Sequence, residues 1–173
     1  MENINNKTSD QEINSLILSI CSFCKRYDSA PTIHANMPQA VVISRKLEIL
    51  SIHIKEKINN KNLTSAYSKG LGSFTKTPWI SLIPVGKKVS NSISVTLCFT
   101  RDGKGIVIGL MNPMSIKNIL PTKKTQMTID HKDKYKYDNK YINHDEFDIN
   151  YIEFKKVMES FISHVESMIK LEL

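Results

Sequence analysis

The sequence predicts an α+β fold: a small antiparallel or mixed sheet flanked by N-terminal helices and by one long C-terminal amphipathic helix. Three observations predict it. Apolar residues recur at helical spacing before residue 60, and three short β-rich runs bounded by Gly, Pro and Asn follow between Trp79 and Met111. Near the end, Tyr151, Phe154, Met158, Phe161, Val165 and Met168 step by three and four residues. At 173 residues the chain suits a single domain, 1–173, with enough length to bury a core without disulfides or metals.

Met1 to Ser9 is polar and Asn-rich, and its composition predicts a disordered start. A first helix is expected from Asp10 to about Tyr27, because Ile13, Leu16, Ile17, Ile20 and Cys24 form one stripe. Pro31 and Pro38 mark the following stretch as a connector. A second helix, capped by Ser44, carries Leu47, Leu50, Ile54 and Ile58 along one face and ends at the Asn59-Asn60-Lys61-Asn62 run. Strands are expected at Trp79 to Ile83, Ile93 to Thr100 and Ile106 to Met111. Pro84 to Asn91 joins the first two as a basic loop, and Arg101-Asp102-Gly103-Lys104-Gly105 joins the last two as a tight hairpin. Beyond Met111 the signals weaken: Ile116 to Leu120 reads as a helical turn, and Lys132 to Tyr141 alternates Lys and Tyr in a strand or a loop. The last helix opens with Asn150 and Glu153 as a capping pair, and its apolar stripe is expected to pack across the sheet.

The chain is organised around Ser68 to Ile83. Gly70 and Gly72 flank Leu71 and let the backbone turn so that this one apolar side chain points outward. Pro78 then fixes an extended entry to the strand that begins with the only tryptophan, Trp79. Two readings fit these residues: a hairpin corner with a core tryptophan, or a loop that presents an apolar tip to a ligand.

A net charge of +7 favours a polyanionic partner. Residues 101–140 hold nine Lys and Arg against four Asp, an excess of five in one quarter of the chain. The three cysteines, Cys21, Cys24 and Cys98, are an odd number without a signal peptide, which fits a reducing, cytoplasmic setting. The CxxC of Cys21 and Cys24 has no partner pair at metal-ligand spacing and falls inside a helical pattern, so core packing is expected and no metal or other cofactor. No apolar run reaches the roughly 20 residues of a membrane span. His34, His53, His131, His144 and His164 form no HxH or HExxH pattern, and His53 and His164 are expected at interfaces or on the surface. No Gly-Lys-Ser/Thr closes a phosphate loop. Glu146 and Asp148 fit either a metal-dependent nuclease site or a cap and solvent face. What remains is aromatics interleaved with charge: Lys69, Lys76, Lys87, Lys88, Lys123, Lys124, Lys132, Lys134 and Lys136 to meet phosphates, and Trp79, Tyr135 and Tyr137 to stack a base. That pattern predicts a binder rather than an enzyme.

Tyr-Ser-Lys-Gly-Leu-Gly-Ser-Phe-Thr-Lys-Thr-Pro-Trp-Ile (67–80), Ser-Asn-Ser-Ile (90–93) and Asp-Ile-Asn-Tyr-Ile-Glu-Phe (148–154) resemble the N-terminal DNA-binding domain of McrB, the GTPase subunit of McrBC modification-dependent restriction systems. The resemblance covers residues 60–111 and 145–170, and its most specific part is Gly-x-Gly-x-Phe-x-x-x-Pro-Trp. It implies a small α/β domain that binds modified double-stranded DNA and rotates a methylated cytosine, or another modified base, into a pocket. Leu71 then takes the place of the residue that fills the gap left by the flipped base, where the best-known member has Tyr, and Trp79 that of a pocket wall. Ser94 stands where a Tyr is found and Cys98 where a Leu is found, while Tyr135 or Tyr137 stands in for a pocket Tyr of the later loop. The implied partners are double-stranded DNA and a GTPase domain or McrC-like nuclease subunit that supplies the motor and the cleavage. The rival expectations are a protein–protein adaptor using the same surface and a metal-dependent nuclease.

Overall fold

The computed structural model describes residues 3–29, 32–68, 72–111 and 141–172. Two helices, α1 (Asn3–Tyr27) and α2 (Pro38–Ile58), precede five strands, β1 (Leu63–Tyr67), β2 (Trp79–Pro84), β3 (Ser94–Phe99), β4 (Gly105–Met111) and β5 (Tyr141–Asp148), and α3 (Phe154–Glu172) closes the described chain. The strands form one antiparallel sheet in sequence order, so of the two sheet types expected the antiparallel one is present.

One face of the sheet carries the main core. Every second residue of β2, β3 and β4, namely Ile80 and Leu82, Val95, Leu97 and Phe99, and Ile106, Ile108 and Leu110, is buried against α1, α2 and α3. The helices meet it with the stripes their spacing predicts: Ile13, Ile17 and Ile20 from α1, Leu47, Leu50 and Ile54 from α2, Val157, Phe161, Val165 and Met168 from α3. α1 and α2 run antiparallel, since Lys57 pairs with Asp10 and Lys46 reaches Ser19. Among the described residues no helix is long and apolar enough to cross a membrane.

Several boundaries differ from those expected. α1 starts at Asn3 rather than Asp10; once a helix is nucleated, each added residue gains a hydrogen bond, and polarity does not oppose that. α2 starts at Pro38, not after Ser44, because the fixed φ of proline suits a first helical turn. It ends as expected at Asn59, which adopts φ +48 and donates its N–H to Lys55 O. β1 and β5 were not expected, and both are sheet edges. β1 buries only Leu63, and most of β5 is solvent-facing, so neither carries the apolar alternation that identifies an inner strand. The expected Asn150–Glu153 cap is absent: Asp148 Oδ1 accepts from the Asn150 N–H at 2.8 Å and from its side-chain amide at 2.9 Å. This turn ends β5, and α3 begins only at Phe154, which leaves Tyr151 84% exposed and outside the core stripe. The turn expected at 116–120 and the Lys/Tyr alternation of 132–140 lie outside the described residues.

Cys21 and Cys24 pack in the main core, as their helical setting predicts. Burial, reinforced by Asp102, pushes the Cys21 thiol up to about 12, and burial raises Cys24 as well. A raised thiol favours the fold while it stays protonated. Below about pH 9 folded and unfolded chains both keep the proton; above it the unfolded chain sheds a proton that the folded chain retains until about 12. Stability is therefore expected to fall with rising pH in that window by up to about 1.4 kcal/mol per pH unit from this group. Denaturant unfolding between pH 8 and 11 checks it: Cys21→Ala should show a shallower decline than the natural chain.

Candidate nucleic-acid interface

The other face of the sheet is built from the alternate residues of the same strands, and among the described residues no helix contributes to its apolar cluster. Trp79, Cys98, Val107 and Met111 form that cluster, separate from the main core. The register explains it. Trp79 lies directly opposite Cys98 and Cys98 opposite Val107, so three neighbouring strands contribute to one row; Glu146 of β5 continues it. Trp79 is half-buried and its backbone is fixed from the β1 side, where Ser68 N–H donates to Trp79 O at 3.0 Å and Trp79 N–H donates to Ser68 Oγ at 3.1 Å.

The next row is polar. Ser81 faces Thr96, with their hydroxyls 2.6 Å apart, and Thr96 Oγ1 lies 3.1 Å from Ser94 Oγ. All three side chains are buried, so the hydroxyls satisfy one another rather than water. His144 of β5 comes level with Gly109, and its Nε2 lies 3.3 Å from Glu146 Oε1. A bulge brings it there: the register slips between Gly109 and Leu110, with Asn143 as the extra residue at φ +53. Gly109 admits the bulge, since a Cβ there would lie 2.4 Å from Asn143 O. The face thus sets a half-buried indole beside a buried thiol and valine, a buried hydroxyl row, and an imidazole–carboxylate pair at the β5 edge.

The segment before Trp79 is anchored to the α1–α2 connector. Ala35 N–H donates to Gly72 O at 3.1 Å, Phe74 N–H donates to Ile33 O at 2.7 Å, and His34 bridges Ser73. Gly72 has φ +79, the left-handed turn that its glycine predicts, and Phe74 is buried edge-on to Phe23 with ring centres 5.7 Å apart. Asp28 gathers the neighbouring cations. Its carbonyl accepts from Lys76 Nζ at 3.1 Å and from Arg101 Nη2 at 3.0 Å, and its carboxylate lies 2.6 Å from Arg101 Nε as a charge contact.

Of the residues expected at the site, Trp79, Ser94 and Cys98 share one face. Gly72 and Lys76 lie in the stem that leads to it, and Lys76 braces the connector there. Lys87 and Lys88 are exposed on the β2–β3 loop at the other end of β2, about 17 Å of strand from Trp79. Lys69, Gly70, Leu71, Lys123, Lys124, Lys132, Lys134, Tyr135, Lys136 and Tyr137 lie outside the described residues. Ser81, Thr96, Val107, Met111 and His144 complete the face and were not singled out from sequence. Their signal is the alternation itself: β4 is buried on both sides along nearly its whole length, which requires two packed faces. Asp148 Oδ1 accepts from its own turn and Glu146 Oε1 lies 3.3 Å from His144 Nε2, and among the described residues no group of three His, Cys, Asp or Glu is placed to hold a metal ion. His164 is buried, with Nδ1 2.7 Å from Ser160 O. No family model matches the chain, and no curated protein matches it.

Proposed function

We propose that this chain is a cytoplasmic DNA-recognition module of a McrBC-like restriction system, which binds modified double-stranded DNA and turns the modified base toward the outer face of the sheet. The observation that supports this most is the register: Trp79, Ser94 and Cys98, chosen from the resemblance, fall on one face with Trp79 directly opposite Cys98. A half-buried indole whose backbone is held by two hydrogen bonds to Ser68 is a surface on which a base can stack. Leu71, next to the anchored Gly72 stem, is the proposed wedge that fills the vacated stack. In this reading the chain is not itself an enzyme; GTP hydrolysis and cleavage belong to a GTPase domain or a nuclease subunit.

The test is a panel of duplexes of one sequence carrying different cytosine and adenine modifications, titrated at several salt concentrations. One modified duplex is expected to bind at least several-fold tighter than the unmodified one, with affinity falling steeply as salt rises. Equal binding across the panel would overturn base recognition, and salt-indifferent binding would favour a protein adaptor. Mg²⁺-dependent cleavage by this chain alone would favour the nuclease. Lys87→Ala combined with Lys88→Ala is expected to weaken modified and unmodified duplexes alike, by roughly tenfold, and to lower the salt slope by about 2, as the loss of two phosphate contacts does.

A further inference from the structure

The outer seam between α1 and α2 opens into a groove of about 490 Å³ whose lining includes Ser22, Phe23 and Arg26 from α1 and Val42, Ile43 and Lys46 from α2. It lies on the helical layer, away from the sheet face described above. Two features set it apart from an ordinary helix surface. The first is apolar exposure: Val41 and Val42 are each 53% exposed and Met37 39%, all at the start of α2, where a surface helix normally shows polar residues. The second is charge. The lining holds two cations and no acid, and among the described residues neither Arg26 nor Lys46 has a carboxylate within ion-pair distance. Arg45 takes Glu48 and Arg101 takes Asp28.

We infer that this groove docks an acidic amphipathic helix of a protein partner. The apolar floor of Phe23, Ile43 and Val42 takes the partner's apolar stripe, and the two cations take its flanking carboxylates. Spacing sharpens the match. Lys46 reaches Ser19, which places it level with that residue of α1, and Arg26 is seven residues further along. At 1.5 Å per residue the cations are about 10 Å apart along the seam, the rise between Glu residues seven apart on a helix lying in it. A fatty acid has one carboxylate for two separated cations. A nucleic acid backbone has no use for the apolar floor. Such a docking leaves the Trp79 face uncovered and does not depend on what that face binds.

The probe is a fluorescein-labelled helical peptide of about four turns, with Leu at i, i+3, i+4 and i+7, two Glu seven residues apart flanking that stripe, and Ala and Gln elsewhere. Anisotropy titration of the full chain should give saturable binding. Arg26→Glu with Lys46→Glu should weaken it by roughly tenfold or more and should bind, in its place, the same peptide with both Glu changed to Lys. That swap is readable only in a folded protein, so it separates lost charge from lost fold. Val42→Ser, a change at an exposed position, should weaken the acidic peptide while leaving its salt dependence intact. No saturable binding, equal affinity for the Glu and Lys peptides, or displacement of the peptide by dodecanoate or duplex DNA would each overturn the inference.

Discussion

Gly103→Ala is expected to lower the unfolding free energy by about 2–5 kcal/mol and the melting temperature by about 5–15 °C. Gly103 sits at φ +66 in the β3–β4 hairpin, and that hairpin is pressed against α1. A Cβ added there would lie 2.2 Å from Cys21 O, 2.7 Å from Lys25 N and 2.8 Å from Lys25 Cβ. Two costs therefore add. A non-glycine residue in the left-handed region costs about 1 kcal/mol or more. The clash is with helical backbone, which cannot yield as a side chain end can, so the hairpin must lift away from α1 and loosen Arg101 from Asp28. Gly86→Ala isolates the first cost: Gly86 has a similar φ of +82, but nothing lies within 4 Å of its added Cβ. Thermal melts of both variants check the argument. Gly103→Ala should melt well below Gly86→Ala, and equal losses would mean that the hairpin does not rest on α1.

The same contact shows what the sequence can and cannot reveal. The glycines of 101–105 announce a hairpin, because only a tight turn needs them in that order. That Gly103 must also lack a side chain to let Cys21 and Lys25 approach is invisible locally, since the partner is an element distant in the chain. Trp79–Pro84, Ser94–Phe99 and Gly105–Met111 are legible because inner strands must alternate or be apolar throughout. The edges Leu63–Tyr67 and Tyr141–Asp148 are not, because one ladder and a few buried side chains suffice to hold them. The candidate site divides the same way. Trp79 is conspicuous as the only tryptophan, but Ser81 and Thr96 are unremarkable until the register sets them opposite each other. Lys76 is legible in sequence only as a charge; that its ammonium also donates to the carbonyl of Asp28 depends on a connector distant in the chain.

Trp79→Ala is expected to weaken binding to the preferred modified duplex by about 10–100-fold and to change binding to the unmodified duplex by no more than about twofold. The first figure follows from stacking of one base on an aromatic ring, about 1–3 kcal/mol, which is a factor of roughly 10 to 100 in affinity. The second follows from position: the indole packs on Cys98 and Val107 on the outer face, whereas Lys87 and Lys88 stand at the other end of β2. Trp79→Phe should recover part of the loss, because a smaller ring still stacks, and it keeps the apolar contact with Cys98 and Val107 that guards against a merely structural effect. Leu71→Ala should likewise spare the unmodified duplex, since a wedge acts only where a base has left the stack. Equilibrium titrations of the four proteins against both duplexes decide the matter. Parallel losses on both duplexes would make Trp79 a general contact and remove base extrusion from the proposal. A loss confined to the modified duplex ties recognition to the single residue that three strands converge to hold, Trp79, whose backbone is bonded to Ser68 and whose ring rests on Cys98.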